Sequence, residues 1–254
     1  YLYVGSWERQ KYAASVRKFH GYDDVLDLIF HTQGADLYRI RKNFNALYLG
    51  EASAETARTQ PERQTGTNMY QGRGGYDNGN FREPRGIAFD PQGRAYVADT
   101  FNHRIQVFDP KGEFLFLFGE EGEGEGQFKE PNDLLVTPQG ELVVLDTWNH
   151  RVQVFDLLGN FRYQFGPAFY GPRGIALGPD GNLYITDTGS GMVKVFSPQG
   201  QPVRHWGGRG SRPGQLYEPV GIAVSAEGEV FVADTRNFRF VVYDLPGNLR
   251  QVAI

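Results

Sequence analysis

Cysteine is absent from the 254-residue chain, which excludes a disulfide framework and any thiolate metal centre and leaves the redox compartment unreadable. No run of about 18 apolar residues occurs and no signal-like segment is present, so nothing in these residues crosses a bilayer as a helix. Positive charge is in short supply too: 26 Lys and Arg stand against 30 Asp and Glu, a formal net charge of −4. No nucleic-acid partner is therefore expected, because such a surface must neutralise phosphates. The G-x-S-x-G elbow and the H-E-x-x-H helix are both missing, and Gly72, Gly74 and Gly75 lack the strand, helix and lysine of a phosphate loop. What is plentiful is glycine (33) and proline (14), without a Gly-X-Y period, beside 40% hydrophobic residues. That combination supplies a core and turns frequent enough to keep strands short, an all-β signature. The first residue is Tyr1 rather than methionine, which reads as a fragment or processed product.

One pattern recurs four times: REPRGIAFDPQGRAYVADT from Arg82, KEPNDLLVTPQGELVVLDT from Lys129, YGPRGIALGPDGNLYITDT from Tyr170 and YEPVGIAVSAEGEVFVADT from Tyr217. Pro84, Pro131, Pro172 and Pro219 are each followed fifteen residues later by Asp99, Asp146, Asp187 and Asp234, and the repeats are 47, 41 and 47 residues long. A period in the forties built from short alternating strands marks a radial blade, since one blade cannot bury both of its faces and must stack on neighbours. Four strands fit each unit, with glycine closing tight turns such as Pro91-Gln92-Gly93 and Pro110-Lys111-Gly112.

The segments ADTFNHRIQVF (Ala98 to Phe108) and LDTWNHRVQVF (Leu145 to Phe155) resemble the NHL repeat family of β-propellers. The resemblance implies four four-stranded blades at about 81–119, 128–166, 170–207 and 217–254, forming an open arc or part of a larger ring. The first 50 residues follow another pattern. YLYVGSWERQKY reads as a strand, SVRKFHGYDDVLDLIF as a helix presenting Phe19, Val25, Leu26 and Ile29 on one face, and DLYRIRK as a strand, together a small α+β segment. This order is similar to the tail of the extracytoplasmic part of YYY-type multi-spanning prokaryotic membrane proteins. That likeness implies a membrane domain upstream of Tyr1 and an extracytoplasmic, membrane-attached location. Residues 51–80, polar and glycine-rich, read as a flexible linker.

Candidate chemistry is sparse. Asp99 with Arg104, Asp146 with Arg151 and Asp234 with Arg239 recur at one offset across the loop joining the second and third strands; groups copied in every unit are structural before they are catalytic. The third blade has Gly189-Ser190-Gly191-Met192 there, so its arginine is missing and a looser loop is expected. His103 and His150 occupy equivalent loops and are read as packing residues rather than metal ligands. Asn132-Asp133 stand where the other units have Arg85-Gly86, Arg173-Gly174 and Val220-Gly221. The Pro-Asn-Asp triplet resembles the one with which lactonase-type propellers hold a divalent cation. No cofactor is assigned; calcium or zinc at Asn132 and Asp133 is the alternative. Glu120, Glu121, Glu123 and Glu125 read as a solvated loop.

The loops after the second and fourth strands open on the same side as the start of the inner strand. Arg85, Phe101, His103, Asn132, Trp148, His150, Arg173, Arg236 and Phe238 therefore form the candidate binding face, a mixture of aromatic and cationic groups typical of hot spots. The expected role is non-catalytic recognition or scaffolding of a protein, peptide or glycan. The alternative is a metal-dependent hydrolase or lyase of lactonase-like type, and the fold by itself separates none of these.

Overall fold

The computed structural model describes Leu2–Gly5, Leu26–His31, Ala35–Ile40, residues 74–166 and residues 169–253. The chain divides into two units, Tyr1–Gly74 and Gly75–Ile254. In the first, strands β1 (Leu2–Gly5), β2 (Leu26–His31) and β3 (Ala35–Ile40) form an antiparallel sheet in the order β1-β3-β2. The helix expected over residues 15–30 is corrected at its end: Leu26–His31 is a strand, with Leu26 opposite Ile40 and Leu28 opposite Tyr38. The run LDLIFH satisfies both helical spacing and alternation, and pairing with β3 decides for the strand. Phe19 and Val25 lie outside the described residues, as do most of the residues behind the membrane-protein resemblance.

The second unit is four antiparallel meanders. Strands β4 (Pro84–Phe89), β5 (Ala95–Asp99), β6 (Arg104–Phe108) and β7 (Phe114–Phe118) make the first blade, and β8 (Pro131–Val136), β9 (Glu141–Asp146), β10 (Arg151–Asp156) and β11 (Phe161–Phe165) the second. The third holds β12 (Pro172–Leu177), β13 (Leu183–Asp187), β14 (Met192–Phe196) and β15 (Pro202–Gly207), and the fourth β16 (Pro219–Val224), β17 (Glu229–Asp234), β18 (Arg239–Asp244) and β19 (Leu249–Ala253). The inner strands pack in sequence, β4 on β8, β8 on β12 and β12 on β16, while no comparable packing joins β16 to β4. Among the described residues the second unit is therefore a row of four successive propeller blades whose first and last do not pack on each other.

Alternation dictates where the core lies, because neighbouring residues of a strand point to opposite faces. In β9, Leu142 and Val144 enter a cluster with Tyr96, Ile105 and Val107 of the first blade, whereas Val143 and Leu145 enter one with Ile175, Leu183 and Ile185 of the third. A third cluster sets Tyr184, Val193 and Val195 against Val230, Val232 and Tyr243. Each such side chain contributes on the order of 1.5–3 kcal/mol by leaving water. The blades also share a repeated hydrogen bond: Thr100 Oγ1 donates to the Pro131 carbonyl (2.8 Å), Thr147 Oγ1 to that of Pro172 (2.8 Å) and Thr188 Oγ1 to that of Pro219 (2.6 Å).

One loop expectation is corrected and a second is sharpened. Residues 75–80, read as linker, belong to the first blade: the Gln106 side chain accepts from Gly79 N at 2.8 Å and donates to the Asn80 carbonyl at 2.7 Å. The glutamate-rich segment before the second blade is likewise a built turn. Gly126 N donates to Gln153 Oε1 at 3.0 Å, and the Arg151 guanidinium donates to the carbonyls of Glu123, Gly124 and Gln127. Its four glutamates stay exposed. The missed signal is a spacing, Gly75-x3-Gly79-Asn80-Phe81, Gly122-x3-Gly126-Gln127-Phe128 and Gly210-x3-Gly214-Gln215-Leu216, which precedes every blade except the third.

Candidate binding face

Each blade is organised around the carboxylate that ends its second strand. Asp146 is buried, and its Oδ1 accepts from Lys129 N (2.7 Å) while its Oδ2 accepts from Asn149 Nδ2 (2.9 Å), Arg151 Nε (2.8 Å) and Gln153 Nε2 (3.1 Å). Asp99 repeats this with Arg82 N, Asn102, Arg104 and Gln106. Asp234 does so with Tyr217 N, Asn237 and Arg239. A charge that accepts several hydrogen bonds can stay buried, and it fixes the loop that follows. The looser third loop is a correction: Ser190 Oγ donates to Asp187 Oδ2 at 2.6 Å, and Lys194 Nζ, from the position of Gln153, lies 2.6 Å from the same oxygen.

In the first, second and fourth blades the loop is a 3-10 turn ending in a left-handed residue, His103 (φ 54°), His150 (φ 56°) or Phe238 (φ 53°), and the third blade's turn ends in Gly191 (φ 66°). This conformation disfavours side chains. His103 has a structural partner, since its Nδ1 accepts from Glu130 N at 3.1 Å. His150 Nδ1 is buried without a partner, and its ring stacks on Tyr170 with centroids 6.3 Å apart. Phe238 is 74% exposed.

The inner-strand starts bring three of the predicted residues together. Asn132 is buried and, with its amide oriented to satisfy both neighbours, its oxygen accepts from Arg85 Nη1 at 2.7 Å while its nitrogen donates to the Arg173 carbonyl at 3.3 Å. Arg85 also stands over the Phe101 ring, 5.6 Å from its centroid. Burial, and then the nearby positive charge of Arg85, lower the pKa of Arg173 from the ordinary arginine range. Asp133 points elsewhere: its oxygens accept from Leu134 N (2.9 Å) and from Ile175 N of the next inner strand (3.0 Å), a brace between blades. Desolvation pushes its carboxyl up to about 7, against the lowering effect of those two hydrogen bonds. A Cβ on Gly86 would come within 2.6 Å of the Asp133 Cα, so the first blade needs glycine beside it. No group of three or more His, Asp or Glu converges on Asn132 or elsewhere among the described residues.

Beside this row lies a pocket of about 240 Å³ lined by Trp148, Tyr170, Arg173, Thr188, Arg209 and Glu218, with Gly171 and Gly189 at its edge. Trp148 is 45% exposed and its Nε1 donates to Glu130 Oε2 at 2.9 Å. Arg236 Nε pairs with Glu218 Oε2 at 2.8 Å. Arg209 lies over the Tyr217 ring, 5.0 Å from its centroid. Both carboxylates near Arg173 are thus engaged, and its guanidinium makes no ion pair among the described residues. Tyr170, Arg209, Glu130 and Glu218 were not identified from sequence, because each stands in a connector and shows its position only when blades are stacked. Phe238 is not among the lining residues of this pocket.

Comparison with known proteins agrees with this architecture. The family model described as NHL repeat matches residues 81–108, 128–155, 169–196 and 216–243. Protein brain tumor of Drosophila melanogaster is 53% identical over 49 residues, 19% of this chain and 5% of that protein. The B-box type zinc finger protein ncl-1 of Caenorhabditis elegans is 57% identical over 42 residues, 16% of this chain and 5% of that protein. The matched segment is therefore a small part of those relatives. Among solved structures, virginiamycin B lyase from Staphylococcus aureus superposes with a TM-score of 0.54 at 16% identity, over 66% of this chain and 54% of the lyase. A chain of the nidogen/laminin complex gives 0.55 at 20% identity, over 68% and 64%. At these identities the likeness is one of fold. With four matched repeats and four blades of matching register, residues 81–243 carry four NHL repeats arranged as β-propeller blades.

Proposed function

We propose that the face formed by the inner-strand starts and the 3-10 loops is a recognition surface for a protein partner, without catalysis. The observation that carries this reading is Arg173, half-buried, unpaired among the described residues and flanked by Trp148 and Tyr170 in the small pocket. At about 240 Å³ the pocket is below the ~300–1,000 Å³ of small-molecule sites. It suits one protruding side chain better than a free metabolite. A partly dehydrated guanidinium selects a carboxylate, which it can grip through two parallel hydrogen bonds. The partner's residue is then an aspartate or glutamate, with Trp148 and Tyr170 packing on its neighbours.

The test is selection of peptides from a random display library on the wild-type protein. Enrichment of acidic residues is expected, with affinity lowered at least about tenfold by Arg173→Met and by Trp148→Ala, the loss of a charged hydrogen-bonded contact being worth roughly 1.5–3 kcal/mol. Selected peptides that bind both variants as they bind the wild type would sink the assignment.

A further inference from the structure

The pocket beside Arg173 lies where the third blade lacks a pair of side chains that two of its siblings carry. The four loops start in one register, since Phe101 N, Trp148 N, Gly189 N and Arg236 N donate to the carbonyls of Arg82, Lys129, Tyr170 and Tyr217. In the second blade the Trp148 indole donates to Glu130, and in the fourth the Arg236 guanidinium donates to Glu218, so a loop side chain is tied to the residue before the anchor proline. Both members of that pair are glycine in the third blade, Gly189 for the loop residue and Gly171 for the glutamate. The two glycines border the pocket of about 240 Å³.

The first blade shows what accompanies an arginine at this position. Arg85, the counterpart of Arg173, has the Phe101 ring over its guanidinium at 5.6 Å, and Arg82 stands 5.9 Å from the same ring. Arg173 has Gly189 in place of Phe101 and Tyr170 in place of Arg82, and among the described residues no ring lies over it. Tyr170 is 65% exposed and stacks on His150 instead. A Cβ on Gly189 would collide with the Tyr170 ring, so the third blade has given up its own loop side chain at this place. A guanidinium offers its rim to a carboxylate and its face to an aromatic ring, and the two contacts do not compete. A cationic occupant, like Arg236 in the fourth blade, is disfavoured here by Arg173 and Arg209.

We propose that the pocket takes an aromatic side chain of the partner protein, whose ring lies on the Arg173 guanidinium as Phe101 lies on Arg85, beside the acidic residue that the same guanidinium grips at its rim. The inference rests on the reading of Arg173 as a carboxylate-binding group and adds the identity of the second contact. The recognised element is then a short segment with an aromatic residue adjacent to an acidic one. Taking the ring out of water between Trp148 and Tyr170 supplies affinity, and the cation beneath it supplies the preference for a π face over an aliphatic side chain of the same bulk.

The experiment takes acidic peptides selected on the full chain, varies the residue next to the acidic one among Phe, cyclohexylalanine and Ala, and measures affinity by titration calorimetry. Cyclohexylalanine keeps the bulk of Phe and loses the π face. The wild type should bind the Phe peptide about threefold or more tighter than the cyclohexylalanine peptide, whereas Arg173→Met should bind those two alike. A triple variant, Tyr170→Lys with Gly171→Glu and Gly189→Trp, installs the second blade's set and should bind the Phe peptide at least about tenfold more weakly by filling the pocket from within. Leu158→Ser, in an exposed turn, is the control and should behave as the wild type. Should the triple variant melt more than about 2 °C below the wild type, the comparison of the wild type with Arg173→Met decides alone. Acidic peptides that depend on Arg173 yet bind equally with Phe and cyclohexylalanine, or a Phe preference that Arg173→Met retains, overturn this inference and leave the carboxylate reading standing. Peptides with no acidic preference overturn both.

Discussion

The second and third blades are built from the same repeat, yet they hold their central carboxylates in different ways. Asp146 is served by an arginine, a glutamine, an asparagine and a backbone amide. Asp187 is served by a backbone amide, a serine and a lysine drawn from the glutamine's position. The second arrangement carries a turn on its donors and the third carries none. The lesson is that the carboxylate is the fixed point of the blade: the residues around it can be exchanged provided that a cation and a loop donor remain.

This comparison can be broken most directly at the carboxylates. Asp146→Ala should cost about 3–5 kcal/mol, since it leaves Arg151 buried without its partner. Asp187→Ala should cost less, because the Lys194 ammonium can move toward solvent on its flexible stem. Urea denaturation of both variants is the check, and equal losses would show that the two hubs are not the different structures described above.

A second contrast lies at the inner strand, where the second blade has Asp133 and the third Gly174. The carboxyl of Asp133 is raised from 3.8 to about 7 in the fold, so the folded state holds the proton more tightly than the unfolded chain. Its destabilising effect is absent below about pH 4, grows as pH rises toward 7 and is constant above. Wild-type stability should therefore fall across that window with a slope of at most about 1.4 kcal/mol per pH unit from this group. Asp133→Asn should remove this contribution; melting curves from pH 5 to pH 8 that run parallel for the two proteins would sink the assignment.

The smallest effect concerns the threonine that follows each carboxylate. Thr188→Val should cost about 1–2 kcal/mol by removing the hydroxyl that reaches the Pro219 carbonyl. Thr235, at the same position in the fourth blade, is exposed and reaches only the Ala233 carbonyl at 3.5 Å, so Thr235→Val should stay within about 0.5 kcal/mol. Chemical denaturation of the pair sharpens the difference between a stacked blade face and an unstacked one.

The blades, their turns and their strand order were legible because four copies of Pro-x14-Asp, each with alternating apolar residues between, leave one way to fold each unit. The glycine-rich turns were not, since they lack apolar periodicity and are ordered by side chains that follow them by about 24–28 positions. Lys194 was missed for a related reason: the loop that lost its arginine recovered a cation from the adjacent strand, which a comparison of loops does not show. Of the candidate face, Arg85, Asn132 and Arg173 are joined as their shared position in the repeat suggests. His103 is instead spent on the Glu130 amide, a bond between blades that one repeat does not encode.

The alternation in β9, with Leu142 and Val144 serving one core and Val143 and Leu145 the next, has a consequence for how such a chain can change in length. Inserting or deleting a single residue within that strand would exchange the contents of two interfaces at once, so each blade's strands tolerate no odd change. From anchor proline to the fourth-strand residue that pairs with the second residue of the third strand, the spacing is 34 in each blade, Pro84 to Phe118, Pro131 to Phe165, Pro172 to Trp206 and Pro219 to Ala253. All growth and loss must then fall between blades, and the six residues missing before the third blade are missing there. Innovation in this architecture is thus channelled into the seams, where a connector can change length while the strand spacing of both neighbours is kept.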